Sequence, residues 1–137
     1  MKILAIDHVQ LAMPPGEEES ARRFYRDVMG FVEIPKPDSL AGRGGTWFQQ
    51  GAVTLHLGVE ANFHPARKAH PAFLVEGLDE LVVRVRESGC EVDESQPPLE
   101  GYRRAHIFDP FGNRIELMER SLAAVVKQEA FTERGRE

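Results

Sequence analysis

The chain has 137 residues, 42% of them apolar, which suits one globular domain with a real core. Its 17 basic and 22 acidic residues give a net charge of −5, and no basic run supports binding to nucleic acid. The single cysteine, Cys90, excludes an internal disulfide framework. No apolar run approaches the length needed to cross a bilayer, and we expect a cytoplasmic protein without a membrane partner.

The first half of the chain predicts a strand, a helix and three more strands. The first strand covers residues 4–12, and "PPGEEES" then breaks it and begins a helix whose acidic first turn suits the helix dipole. Short strands follow at 31–35, 46–50 and 52–59, and the turn-rich segment 36–45 predicts a mobile loop. The apolar residues of the helix, which ends near Gly30, recur at the spacing of one helical face: Ala21, Phe24, Tyr25 and Val28.

The second half repeats this order of elements after residues 60–69, which show no clear period. "DPFGN" predicts a tight turn, because proline fixes φ and Gly-Asn tolerates positive φ. A short helix over 122–127 and a frayed end, "TERGRE", are expected after the last strand. The predicted strands and helix of this half lie at 70–76 (strand), 78–89 (helix), 90–94, 102–109 and 114–120 (strands).

The repeated order predicts an α+β fold built from two βαβββ modules. The modules cover about residues 4–60 and 69–120 of a single domain at 1–122, and residues 121–137 form a C-terminal helix or tail. The first strand of each module carries a histidine, His8 or His70, and the last strand carries His56 or Glu116. Since alternate residues of a strand share a face, each of these four lies opposite the apolar residues that would pack on a helix. We therefore expect the four to share one face.

Imidazole nitrogens and a carboxylate are the usual ligands of a borderline divalent metal. His8, His70 and Glu116 alone would form a two-histidine, one-carboxylate set with open positions for substrate or water. His56 would add a fourth ligand or would line the cleft without binding the metal. The sequence thus predicts a metal site, with His8, His56, His70 and Glu116 as candidate ligands.

Five other residues are candidates for contact with a substrate. Gln10 shares the face of His8, and Tyr102, Arg104 and His106 share the same face of a later strand. His106 is interpreted as a cleft-lining or hydrogen-bonding residue. Trp47 would either wall the pocket or lie at an interface, and strand alternation alone does not choose between these roles.

Several stretches of the chain resemble the vicinal oxygen chelate superfamily. They are "DHVQLAM", "ARRFYRDVMGF", "LHLG", "AHPAFLV" and "FDPFGNRIELME", and the resemblance covers about residues 4–120. This superfamily includes glyoxalase I, bleomycin resistance proteins, fosfomycin resistance enzymes and extradiol dioxygenases. "DPFGNRIEL" together with a first strand that carries histidine is fairly specific for the superfamily, and it is not specific for one activity.

The resemblance implies two βαβββ modules that form a curled, incompletely closed eight-stranded mixed sheet around a metal cleft, with helices on its outer face. It places metal ligands at His8, His70 and Glu116, and a further glyoxalase ligand at the position of His56. Many glyoxalase I enzymes carry a glutamate at that position, and this departure puts glyoxalase I activity in doubt. Members are often homodimers, so a homodimer is expected. The resemblance leaves open whether the site lies within one chain or combines modules from two.

The expected protein is a metal-dependent enzyme of lyase, isomerase or dioxygenase type, acting on a small substrate through two adjacent oxygens. One divalent ion per site, Zn, Ni, Mn, Fe or Co, would act as a Lewis acid, and Glu116 would be a ligand and a proton acceptor. One alternative is a metal-free drug-binding protein of the bleomycin-resistance type, although those proteins typically lack such ligands. Another is an epoxide-opening transferase of the fosfomycin-resistance type.

Overall fold

The first four strands form one mixed sheet in the computed structural model, which describes residues 1–135 and, within its last helix, leaves out the side chains of 123–128. The strand order is β1-β4-β3-β2, with β1 parallel to β4 and the other pairs antiparallel. Helix α1 and a π-helical continuation lie between β1 and β2. The bounds are β1 Val9–Met13, α1 Glu18–Arg22, the π-helix Arg23–Val28, β2 Val32–Ile34, β3 Thr46–Gln50 and β4 Val53–Val59.

The other four strands repeat this arrangement in the order β5-β8-β7-β6, with β5 parallel to β8. The repeat confirms the α+β fold of two βαβββ modules, here called the first module (β1 to β4) and the second module (β5 to β8). The eight strands thus form two four-stranded sheets that hydrogen bonds do not close into one. The bounds are β5 Ala72–Leu74, α2 Leu78–Glu87, β6 Val92–Asp93, β7 Tyr102–Phe108, β8 Arg114–Arg120 and α3 Leu122–Arg134.

The core lies where the two helices pack against the sheets. Phe24 and Tyr25 on the first helix are buried, which confirms its predicted apolar face, and Val82 and Val85 on the second helix are also buried. A chain of buried hydrogen bonds also joins the modules. The Tyr25 hydroxyl donates to Asp109, and Asn113 donates to both Asp109 and the Ala12 carbonyl.

The first strand begins later than predicted. Residues 4–8 are not in a strand, and β1 starts at Val9, where its pairing with β4 begins. Strands need hydrogen-bonded neighbours, and β1 is an edge strand whose other side has no partner among the described residues. Ile3, Leu4 and Ile6 are consequently exposed by 96%, 83% and 82%.

Four other predictions need correction. The second half of the first helix is π-helical, and Phe31 N–H reaches back to the Tyr25 carbonyl at its end. The segment 36–45 is not wholly a loop, because Asp38–Arg43 forms a 3₁₀ helix. Helix α3 runs to Arg134, well beyond residue 127, so "TERGRE" begins inside a helix, and residues 136–137 lie outside the described part. The strands β2, β5 and β6 are shorter than predicted.

In the described part of the chain, no helix combines the length and the apolar character that a membrane span requires.

Candidate metal site and adjoining pocket

Two histidines and a glutamate of the second module converge on one oxygen atom. His70 Nε2 lies 3.2 Å and His106 Nε2 lies 3.1 Å from Glu116 Oε1. His106 and Glu116 are directly opposite each other on β7 and β8, and His70 precedes β5, whose Ala72 pairs with Glu116. Among the described residues, these three form the one group of His, Cys, Asp or Glu ligand atoms that all lie within 4.8 Å of one another.

The spacing of these atoms fits a divalent metal. Ligand bonds of about 2.0–2.2 Å in tetrahedral or octahedral geometry place neighbouring ligand atoms about 2.8–3.6 Å apart. The separation of 3.2 Å between His70 Nε2 and Glu116 Oε1 falls within that range. Two imidazoles and a carboxylate are also the donor types that Zn, Mn, Fe, Co and Ni accept.

The protonation of His70 also favours a metal ion at this site. Its Nδ1 lies 2.9 Å from the Lys68 carbonyl oxygen. A carbonyl only accepts, so Nδ1 carries the proton, and in a neutral imidazole Nε2 then presents a lone pair. That lone pair faces Glu116 Oε1, which is also an acceptor, so a cation or a second proton must lie between them. Metal-binding histidines characteristically donate their other N–H to a carbonyl or carboxylate in this way.

His106 differs from His70 in which ring nitrogen carries the proton, although it is equally close to Glu116. Burial lowers the pKa of His106, and the nearby charge of Arg114 lowers it further, which favours the neutral ring. Its Nδ1 is buried and has no hydrogen-bond partner among the described residues. The single proton is therefore best placed on Nε2, where Glu116 Oε1 accepts it. A nitrogen that donates a proton does not bind a metal.

Glu116 is held as a carboxylate by its neighbours. Burial alone would raise its pKa, but the neighbouring side chains of His70, His106 and Arg104 outweigh burial and bring the pKa below its ordinary value. Arg104 Nη1 lies 3.3 Å from the same Oε1, while its Nε donates to the Pro97 carbonyl at 3.2 Å. The guanidinium thus adds a fixed positive charge beside the group.

The first module carries a stack of three rings. His56 lies between His8, with ring centroids 4.1 Å apart, and Trp47, at 3.7 Å and 3° from parallel. The strand register explains the second contact, because Trp47 pairs with His56. His8 Nδ1 is 2.8 Å from the exposed carboxylate of Asp7, so a neutral His8 also presents a free Nε2. Burial lowers the pKa of His56, and the charges of His8 and Lys36 act in the same direction.

A cavity of about 200 Å³ adjoins this stack. Trp47 and Gln10 form part of its wall, and Gln10 lies beside His56 in the register of β1 and β4. Gly58 allows the Gln10 side chain to lie against the strand, since a Cβ there would come within 2.6 Å of Gln10 Nε2. Lys36 and Arg43 complete a positively charged side of the cavity.

Residues 5–117 match the sequence model of the Glyoxalase/Bleomycin resistance protein/Dioxygenase superfamily. The chain belongs to this superfamily. No curated protein matches this member. A glyoxalase family protein from Bacillus anthracis, known from its crystal structure, is 49% identical, with 88% of this chain and 98% of that one covered and a TM-score of 0.79.

Fosfomycin resistance proteins share the fold of this superfamily member at lower identity. A mutant of FosX from Listeria monocytogenes, in complex with Mn(II) and 1S,2S-dihydroxypropylphosphonic acid, is 20% identical, covering 92% of this chain and 99% of that one with a TM-score of 0.74. FosX from Mesorhizobium loti is 18% identical over 92% and 99% of the two chains, with a TM-score of 0.67.

The structure brings together only some of the residues that the sequence suggested. His70 and Glu116 meet, whereas His8 and His56 lie outside their group and stack on each other in the first module. Gln10 and Trp47 line the cavity, Arg104 and His106 contact Glu116, and Tyr102 is half-buried on β7.

The closeness of His106 to Glu116 is the feature that sequence reasoning missed. The "DPFGN" turn could have predicted this contact, because pairing Phe108 with Arg114 across the turn places His106 opposite Glu116.

Proposed function

We propose that this superfamily member is a divalent-metal-dependent enzyme of lyase, isomerase or dioxygenase type, acting on a small substrate that binds through two adjacent oxygens. One observation carries the proposal. With its Nδ1–H committed to the Lys68 carbonyl, His70 directs Nε2 at Glu116 Oε1 over 3.2 Å, and a bound cation satisfies both acceptors.

The proposed ligands are His70 and Glu116 of one chain and His8 of a second copy. His8 resembles His70, because its Nδ1 is hydrogen-bonded to an acceptor and its Nε2 is free. His106 orients Glu116 by donating Nε2–H to Oε1 and is not itself a ligand in this proposal. His56, which the sequence left as a ligand or a cleft residue, holds the His8 ring by stacking. Two histidines and one carboxylate leave positions open for substrate.

A homodimer would supply the missing histidine. The edge strands β1 and β5 each have one side without a partner in the described structure. The residues before β1 include Ile3, Leu4 and Ile6, all strongly exposed, which is unusual for a segment that meets only water. A second copy that covers this segment would remove apolar surface from water and bring its own His8 toward the second module.

In such a site the metal would act as a Lewis acid toward the two substrate oxygens. Glu116 contributes a negative charge at its ligand oxygen, since its pKa lies below the ordinary value. Its other oxygen is the candidate proton acceptor. Arg104 offers guanidinium N–H groups beside Glu116 to an oxygen on which negative charge develops, and Tyr102, two residues along β7, is the proposed outer contact with substrate.

A metal-free binding protein is the second candidate, and one observation favours it. Arg104 Nη1 already contacts Glu116 Oε1 at 3.3 Å, and a doubly protonated His70 would complete the neutralisation of this carboxylate without a metal. The cleft would then bind its ligand without chemistry, as the bleomycin-resistance branch of the resemblance implies.

Metal titration separates the two candidates. Chelator-treated protein is titrated by calorimetry with Mn(II), Zn(II), Ni(II) and Co(II), and with Fe(II) under anaerobic conditions. We expect one ion per chain for at least one metal, and an affinity at least about tenfold lower for Glu116→Gln. Glu119→Gln, on the same strand but paired with Arg103, is the matched control and should bind like the wild type.

Absence of stoichiometric binding for every metal would overturn the enzyme proposal and favour the binding protein. If metal binds, the loaded protein is then assayed with thiol hemiacetals, catechols and epoxides. These substrates distinguish isomerase or lyase, dioxygenase and epoxide-opening activities; turnover of epoxides alone would favour the fosfomycin-resistance type.

A further inference from the structure

The cavity beside Trp47 carries a local charge opposite to that of the whole chain. The chain has a net charge of −5, yet the cavity lining includes the cations Lys36 and Arg43 and no carboxylate. Lys36 lies two residues after β2, and Arg43 is the last residue of the 3₁₀ helix that follows, so the connection between β2 and β3 brings both cations to one wall.

Both cations have capacity to bind a further group. The Lys36 ammonium donates to the Gly44 carbonyl, which occupies one of its three N–H bonds. The guanidinium of Arg43 has no hydrogen bond or ion pair to any of the described residues. The carboxylate of Glu18 is close, accepting a hydrogen bond from Gly45 N–H at 3.1 Å, but it is not part of the lining. A second negative charge beside Lys36 and Arg43 would therefore be stabilised.

The other walls suit a small oxyanion at one end of a larger molecule. The Gln10 amide offers further N–H groups, and Trp47 supplies a flat apolar surface. A volume of about 200 Å³ holds a carboxylate, phosphate or phosphonate group with a few carbon atoms, and it is too small for most complete ligands.

We propose that Lys36 and Arg43 form an oxyanion subsite, and that the substrate of this protein carries a carboxylate or phosphorus oxyanion which binds between them. This inference rests on the proposed function for the rest of the substrate. Trp47 stacks on His56, and His56 stacks on the proposed ligand His8, so the subsite adjoins the first-module side of the metal site. A substrate anchored there would direct its adjacent oxygens toward the metal.

Trp47 is the only tryptophan in the chain, and its fluorescence can report on this cavity without any metal. Metal-free protein is titrated with inorganic phosphate, with acetate and with ethylene glycol, at constant ionic strength set by chloride. We expect a saturable fluorescence change with phosphate, with acetate or with both, and none with ethylene glycol, which has vicinal oxygens but no charge. The stronger of the two anions identifies the oxyanion class.

Charge-removing variants test the assigned residues. Lys36→Met and Arg43→Met should each raise the half-saturating anion concentration about tenfold, because each removes a charge-assisted contact. Arg86→Met removes the same charge from an exposed residue of α2 that pairs with Glu94, and it should leave anion binding unchanged. Gly58→Ala provides a second probe, since its Cβ would push the Gln10 amide out of place and alter the response.

No saturable change in the wild type, or equal binding by wild type, Lys36→Met and Arg43→Met, would overturn the subsite. Titration of the same samples with Mn(II) and the other divalent ions keeps the two proposals apart. Anion binding without metal binding contradicts the proposed function alone, and metal binding without anion binding contradicts the subsite alone.

Discussion

The Tyr25 hydroxyl donates a 2.6 Å hydrogen bond to Asp109 Oδ2, joining residues 84 positions apart in the chain. Tyr25 lies on the helix of the first module, and Asp109 begins the turn between β7 and β8 of the second. Asp109 Oδ1 also accepts the backbone N–H groups of Phe111 and Asn113. One buried carboxylate therefore both shapes the turn that sets the register of Glu116 and fastens the two modules together.

Loss of this bond should destabilise the whole domain. Tyr25→Phe leaves a buried acceptor without its donor, and we expect the free energy of unfolding to fall by about 1–3 kcal/mol. Urea denaturation followed by circular dichroism measures the change. Tyr102→Phe removes the other tyrosine hydroxyl of the chain from a half-buried position and should change the stability by less than about 0.5 kcal/mol. Equal effects of the two substitutions would contradict the role assigned to the Tyr25 bond.

Asp109 should also give the protein a particular dependence on pH. Burial raises the pKa of Asp109 above 3.8, although the hydrogen bonds from Tyr25, Asn113 and Phe111 partly offset the effect. Because the folded pKa is the higher one, its contribution to stability is full below 3.8 and is lost as the pH rises through the raised pKa. Stability of the wild type relative to Asp109→Asn should therefore decline as the pH rises from below 3.8.

Asp93 provides a control with the opposite sign. Hydrogen bonds from the side chains of Ser95 and Gln96 and from the Ser95 backbone lower its pKa to about 2. Its contribution is present above 3.8 and is lost as the pH falls toward about 2, so stability relative to Asp93→Asn should decline on acidification. Urea denaturation over a range of pH measures both stability differences. If the differences relative to Asp109→Asn and Asp93→Asn changed with pH in the same direction, the opposite directions assigned to the two pKa shifts would be wrong.

Gly45 should be required for the strand that presents Trp47. It has φ +84°, and a Cβ at this position would lie 2.1 Å from the backbone oxygen of Leu57. Because this backbone atom cannot move aside as the end of a flexible side chain can, Gly45→Ala should lower the free energy of unfolding by about 3 kcal/mol or more. Gly16 has a similar φ of +77° and nothing within 4 Å of its Cβ, so Gly16→Ala should cost only about 1–2 kcal/mol. Thermal unfolding of both variants checks this difference.

The order of strands and helices could be predicted because it depends on local periodicity. Phe24 and Tyr25 on one helix, and Val82 and Val85 on the other, repeat at helical spacing and are buried as that spacing requires. Residues 4–8 show where local pattern fails. They alternate like a strand, but a strand also needs hydrogen-bonded pairing, and the pairing of β1 with β4 begins only at Val9.

The candidate site was predictable only within each module. Strand alternation predicts that His8 shares a face with His56 and that His70 shares one with Glu116. In the structure the rings of His8 and His56 stack, and His70 lies 3.2 Å from Glu116. Alternation carries no information about the distance between modules, so it could not show that the two pairs are separate in this chain. Strand alternation could not predict the positions of Lys36 and Arg43, because a 3₁₀ helix in an irregular segment brings them to the cavity.

Mixed dimers should reveal whether His8 serves the site of a second copy. Separately, His8→Ala and Glu116→Gln should each lack high-affinity metal sites. If the site is shared, a heterodimer of the two variants contains one site with both defects and one intact site, so random mixing restores about a quarter of the sites. Glu116→Gln mixed with His70→Ala is the matched control, because both residues come from the second module and no combination restores a site. Mn(II) titration after unfolding and refolding the mixtures gives the count. If the first mixture recovers no more sites than the control, His8 does not complete a site across two chains.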